Sequence, residues 1–145
     1  MTRKIRPVAL IALLIAGCAE SDRETATGKG QIRGFNAIAE APGITFKIEE
    51  RSLGSVAFGD SSAIQRYDDL SYNFNFDLLP LGGNVTQRLA SQFVDVVKDT
   101  QYLFVLSGSL ASPELAVWTR DERVWAGTET VLELDFLHAA TSVGP

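Results

Sequence analysis

Apolar and polar residues alternate with a period of two along much of this chain, and the alternation is broken by short clusters of Gly, Pro, Ser, Asn and Asp. Ile44-Thr45-Phe46-Lys47-Ile48 reads as a half-buried strand. The clearest case is Tyr72-Asn73-Phe74-Asn75-Phe76-Asp77-Leu78, where four apolar side chains share one face. A slip of one residue would expose all four, so this register is strongly specified. Leu53–Phe58, Ala63–Tyr67 and Glu114–Trp118 read as strands, with turns at Arg51-Ser52, Gly59–Ser62 and Asp68-Asp69. Tyr102–Leu106 is continuously apolar and predicts a central strand within Gln101–Leu106, buried on both faces. Gln87–Val97 is less regular; Phe93, Val94, Val96 and Val97 favour a bulged strand over a short helix near Arg88-Leu89-Ala90. Thr119–Gly127 reads as a polar loop and Glu129–Leu137 as the last strand. Short strands spaced about ten residues apart, without an amphipathic helix, predict an all-β, antiparallel β-sandwich over residues 31–128. It is immunoglobulin-like in architecture only, because the Cys…Trp…Cys signature is absent.

The N-terminus has a different pattern. Arg3, Lys4 and Arg6 precede an unbroken apolar run from Val8 to Ala16. A spanning helix needs about 20 apolar residues, so this run fits the core of a secretory signal peptide. It ends in Ile15-Ala16-Gly17-Cys18, which resembles the lipobox of bacterial lipoproteins. The resemblance implies a signal peptide over residues 1–17, a diacylglycerol on the Cys18 thiol and an acylated (palmitate-type) new N-terminus. Stable anchoring takes more than one acyl chain, which this pattern would supply. Cleavage further on, near Ala26, would instead make Cys18 an ordinary leader residue. Ala19 stands where an inner-membrane retention signal would place aspartate, so the resemblance favours an outer-membrane location, periplasmic or surface facing. Residues 18–30 are polar and read as a flexible tether. Its twelve residues after Cys18 span at most about 40 Å, and about 20 Å as a coil.

The leader carries three of the 13 basic residues and none of the 18 acidic ones. The remainder has ten basic residues against 18 acidic, a net charge of −8. Such a surface disfavours nucleic acid or anionic lipid as a partner for a basic patch. With the single cysteine committed to lipid, no disulfide is available and stability must come from core packing.

Two stretches echo each other. Ile32-Arg33-Gly34-Phe35-Asn36-Ala37 and Leu134-Asp135-Phe136-Leu137-His138-Ala139 lie 102 positions apart, and each leads into small residues with Pro or Gly. That spacing is the size of a whole sandwich domain. Residues 129–145 therefore read as the start of a second copy or as a final strand of the first. Ile32-Arg33, Asn36-Ala37, Ala41-Pro42 and Ile44-Thr45-Phe46 are similar to the opening of the bacterial "domain of unknown function 4397" family, V-R-F-V-H-A, then a turn, then V-D-V. Asn36 replaces the usual His, which His138 keeps. The similarity continues in Leu53–Gly59, Leu70-Ser71-Tyr72 and Tyr102–Leu110 and covers residues 31–118 plus the tail. It implies a β-sandwich on secreted or lipid-anchored proteins, with no established catalytic residues.

The residues offer little catalytic chemistry. His138 is the single histidine and reads as a turn residue rather than a general base. Ser107 and Ser109 lie outside any G-x-S-x-G elbow, and Gly28-Lys29-Gly30 lacks phosphate-loop spacing. The chain cannot supply a Cys/His zinc site, and Asp68-Asp69 and Asp121-Glu122 lack a calcium-loop pattern. Trp118 and Trp125 remain. Exposed together they could stack on a sugar ring; otherwise Trp118, alternating with Ala116, belongs to the core and Trp125 caps an edge. The expectation is thus a non-enzyme without cofactor or metal: an envelope-anchored binding or adhesion module for a glycan or an envelope protein. The alternative is a structural, accessory lipoprotein within an envelope assembly.

Overall fold

The computed structural model describes residues 24–130 together with Leu134 and Phe136. Eight strands lie among them: β1 (Lys29–Asn36), β2 (Ile44–Ile48), β3 (Arg51–Val56), β4 (Gln65–Asp68), β5 (Ser71–Leu78), β6 (Gln87–Asp95), β7 (Thr100–Gly108) and β8 (Pro113–Asp121). They form two four-stranded sheets, ordered β4-β1-β7-β8 and β3-β2-β5-β6. No helix occurs among the described residues, and the all-β, two-sheet expectation holds.

The alternating faces meet in the middle. Ile32, Tyr102, Phe104 and Leu106 of one sheet pack with Ile44, Phe46, Ile48, Phe74 and Phe76 of the other. Phe104 is stacked on Phe74 at 4.3 Å and tilted against Phe76 at 5.9 Å, and Phe46 meets Phe76 edge-on at 4.8 Å. Gly34, between Ile32 and Asn36 on the inward face of β1, lets the sheets close. A Cβ there would lie 2.2 Å from a ring carbon of Phe46. Asn36 is fully buried and joins three segments: its Nδ2 donates to the Val56 carbonyl at 3.0 Å, and its Oδ1 accepts from the Ile38 N–H at 3.0 Å. Its own carbonyl accepts from Gly59 N–H at 2.9 Å. This joint sets one end of the sandwich, where β5 runs out into residues 79–86; Lys29 and Asp68 mark the other end.

Several elements differ from the sequence reading. The pairing is not wholly antiparallel: β1 runs parallel to β7, from Gln31 opposite Gln101 to Asn36 opposite Leu106. Pattern alone carries no information on strand direction, and the crossover between them spans five other strands. Arg51-Ser52 lies inside β3 rather than in a turn; the tight turn falls at Glu49-Glu50, where Glu49 takes a left-handed φ of 51°. β4 begins at Gln65, leaving Ile64 exposed, and β3 stops at Val56, leaving Phe58 exposed. Gln87–Val97 forms a strand as expected, ending at Asp95, with an irregular register between Phe76 and Asp77 of its partner. β8 continues through Thr119, Arg120 and Asp121, three residues assigned to a loop. The presumed tether overlaps the domain: Lys29 and Gly30 belong to β1, and Thr27 and Gly28 are held by the Asp69 carboxylate at 2.6–2.9 Å. Glu129 and Thr130 are in no strand, and Leu134 and Phe136 are exposed. The rest of the expected last strand, and with it the second-copy question, lies outside the described residues, as do residues 1–17, Cys18 and His138.

Candidate functional site

The outward face of the β4-β1-β7-β8 sheet carries a hollow of about 210 Å³. Its construction follows from register. Gln31, Gln101 and Arg120 are opposite one another on β1, β7 and β8, and so are Arg33, Leu103 and Trp118 two residues along. Inward positions on these strands go to Ile32, Tyr102 and Val117, so both rows point away from the core. The first row is hydrogen-bonded end to end. Arg120 Nε donates to Gln101 Oε1 at 2.6 Å, and Gln101 Nε2 donates to Gln31 Oε1 at 3.3 Å. Gln31 Nε2 in turn donates to Glu122, which Arg66 also pairs.

In the second row Leu103 forms the floor between Arg33 and Trp118, and exposed Ile64 adds an apolar wall. The Arg120 guanidinium lies 5.7 Å from the Trp118 ring centroid, a cation–π arrangement that fixes both side chains on one bank. Arg33 gives one N–H to Ser61 Oγ, which holds it against the opposite bank. The hollow thus combines an aromatic face, an apolar floor, two amides and two guanidinium groups. Those are binding groups; no nucleophile–base pair lines it.

The other sheet's outward face is built differently. Asp77 is buried there at 3% exposure. Burial by itself raises its pKa; hydrogen bonds from Arg88 and Lys47, and their charges, outweigh this and hold it below the usual carboxylate value. Lys47 Nζ lies 2.7 Å away and Arg88 Nε 2.9 Å. Beside this triad Ser91 Oγ lies 2.9 Å from Asn73 Oδ1 and 2.8 Å from Asn75 Oδ1, and Asn75 Nδ2 donates to the Glu49 carbonyl. These polar groups satisfy one another, and beside them on the same face stands the exposed ring of Phe93, opposite Asn73.

The residues singled out from sequence have separate fates. Trp118 is not in the core: Leu115 and Val117 take the inward positions of β8, and Trp118 stands outward with Arg120. Trp125 lies beyond β8, 45% exposed, with the Arg123 guanidinium 4.1 Å from its ring centroid, and it is not among the residues lining the hollow. The two indoles therefore do not share one platform there. Ser107 is buried and donates to the Glu114 carbonyl, and Ser109 Oγ accepts from Ser112 N–H. Asp68 pairs with Lys29, and Asp69 caps Thr27 and Gly28; their N–H and O–H donors lower its pKa to about 2, the Thr27 hydroxyl foremost. Glu122 is engaged by Gln31 and Arg66. No three His, Cys, Asp or Glu side chains gather as a metal site among the described residues. No helix there is long and apolar enough to cross a membrane. Gln31, Arg33, Gln101, Leu103 and Arg120 were not singled out from the sequence. The polar outward phase of β1 was visible, but its partners lie 70 residues away, across a parallel pairing. Compared with known proteins, the chain matches no family model and no curated protein.

Proposed function

We propose that this chain is a non-enzymatic lipoprotein of the cell envelope whose sandwich works as a binding or adhesion module, through the outward face of β1, β7 and β8. The observation that carries the reading is Trp118, which is half-buried and turned outward on that face, beside Arg120 and across the apolar Leu103 from Arg33, and does not join the core. Aromatic side chains give large contact area at low entropy cost, and a hollow with a few convergent polar groups is the ordinary form of a small-ligand site. The anchoring half of the proposal rests on Ile15-Ala16-Gly17-Cys18, and the likeness of residues 31–118 to the domain of unknown function 4397 family agrees with it. Metabolic labelling with palmitate tests the anchor: the wild-type chain incorporates label and Cys18→Ser does not. Incorporation by Cys18→Ser would refute it. A glycan array with the purified chain in detergent tests the module: binding is expected and is lost in Trp118→Ala, whereas Trp125→Ala keeps it.

One observation favours the second reading, an accessory role within an envelope assembly. The end of the sandwich remote from Lys29 exposes Leu79, Leu81 and Val85 in the β5–β6 connection and Phe58 after β3. Apolar loop tips clustered at one end are a protein-contact feature. Co-purification of an envelope protein that is lost on Leu81→Ser, with a silent glycan array, would establish this reading in place of the first.

A further inference from the structure

We infer that the hollow over Leu103 takes an acidic saccharide, with one uronic-acid ring seated between Trp118 and Arg33 and its carboxylate on the Arg33 guanidinium. This rests on the binding-module reading above and names the ligand of that same face. The first ground is local charge. The whole chain has net charge −5, yet the charged residues lining the hollow are both arginines, Arg33 and Arg120. The nearest carboxylate in the bonded row, Glu122, lies past Gln31 and is already paired with Arg66. Within an acidic protein, Arg33 makes this hollow locally attractive to an anion.

The second ground is size and shape. Arg33 and Trp118 stand on strands two apart, so their backbones are about 10 Å from each other. That width admits one saccharide ring edge to edge. Leu103 beneath presents apolar surface to such a ring and the Trp118–Arg120 bank supplies the stacking partner, while Ile64 lies on the far side of Arg33. The third ground is the donor set. A guanidinium has five N–H donors in a planar fork that matches a carboxylate. Arg33 spends one on Ser61, which orients the group without exhausting it. The amides of Gln31 and Gln101 are fixed by the bonded row and line the hollow two residues along from Arg33 and Leu103, within its reach as partners for hydroxyl groups. A neutral sugar would use the stack and the amides but leave Arg33 without a counter-charge.

The test follows the two indole N–H signals of the ¹⁵N-labelled full chain in detergent, titrated with a galacturonic-acid trimer and, separately, with the neutral galactose trimer. The acidic trimer is expected to shift the Trp118 signal and leave that of Trp125 in place, with affinity falling as NaCl is raised. Arg33→Gln should weaken it about tenfold, the loss of one charge-assisted contact, and Arg33→Lys should restore part of the loss. Unchanged signals of the unliganded variant verify its fold. Equal binding of both trimers overturns the acidic-ligand inference and leaves the binding module standing. A Trp118 signal that neither trimer moves also overturns it, and together with a silent glycan array it removes the module reading as well.

Discussion

Two side chains carry more of this structure than their size suggests. Gly34 is needed because the Phe46 ring occupies the place of its Cβ, at 2.2 Å. Gly34→Ala should therefore destabilise the fold by about 1–3 kcal/mol in chemical denaturation, with part recovered when Phe46 is shortened to Leu. Asp77 is the second. Its buried carboxylate is matched by Lys47 and Arg88, and Asp77→Asn should cost about 1–2 kcal/mol at neutral pH, since the half-exposed Arg88 is partly screened by water. Because burial is outweighed by those partners, the folded-state pKa lies below the ordinary 3.8. The stabilisation is complete above that value and is lost as the pH falls through the depressed one. Melting temperatures of wild type and Asp77→Asn should differ at pH 7 and converge in strong acid; a constant gap would contradict the assignment. Asn36 illustrates how far single residues were legible. Its departure from a histidine pattern was visible in the sequence, but its role as a buried joint between β1, β3 and the loop at Gly59 was not, since those partners are 20 or more positions away.

Among the strands, legibility followed the contrast between the two faces. Tyr72–Leu78 alternates large apolar with polar residues, and β5 has the predicted phase, with Phe74 and Phe76 in the core and Asn75 and Asp77 on the other side. Leu115-Ala116-Val117-Trp118 is apolar on both phases, so alternation could not say which half faces in. The sequence left Trp118 open between a stacking platform and the core, and the structure gives the core to Leu115 and Val117. Where β1 starts was hidden for a related reason: Thr27 and Gly28 have no apolar signal, and their N–H groups are held by the Asp69 carboxylate while Gly28 also packs on Lys98. Those donors keep Asp69 ionised down to about pH 2. In hydrogen exchange, Asp69→Ala should speed exchange at Thr27 and Gly28 and leave Ile32 onward unchanged. The same loosening should occur in the wild type as the pH falls from the ordinary 3.8 through 2. Protection at Thr27 that survives the substitution would show that another contact holds the entry to β1.

The molecule as a whole separates its roles by surface. One outer face carries the self-satisfied polar groups around Asp77 with the exposed Phe93 beside them, the other holds the hollow with Arg33 and Arg120, and one end gathers exposed apolar tips. Against the chain's net charge of −5 the arginine hollow is a local exception. The parallel pairing of β1 with β7 also sets an order of assembly. The first strand's long-range neighbour begins at Thr100, so a nascent chain cannot complete the four-stranded β1 sheet until most of its length exists. Closing a loop of 70 residues before that contact is rewarded makes folding slow relative to a meander of hairpins. Chains cut before residue 100 should remain protease-sensitive throughout, including β2 and β3, instead of leaving a resistant N-terminal half. A polypeptide with that property stays threadable for as long as its synthesis lasts.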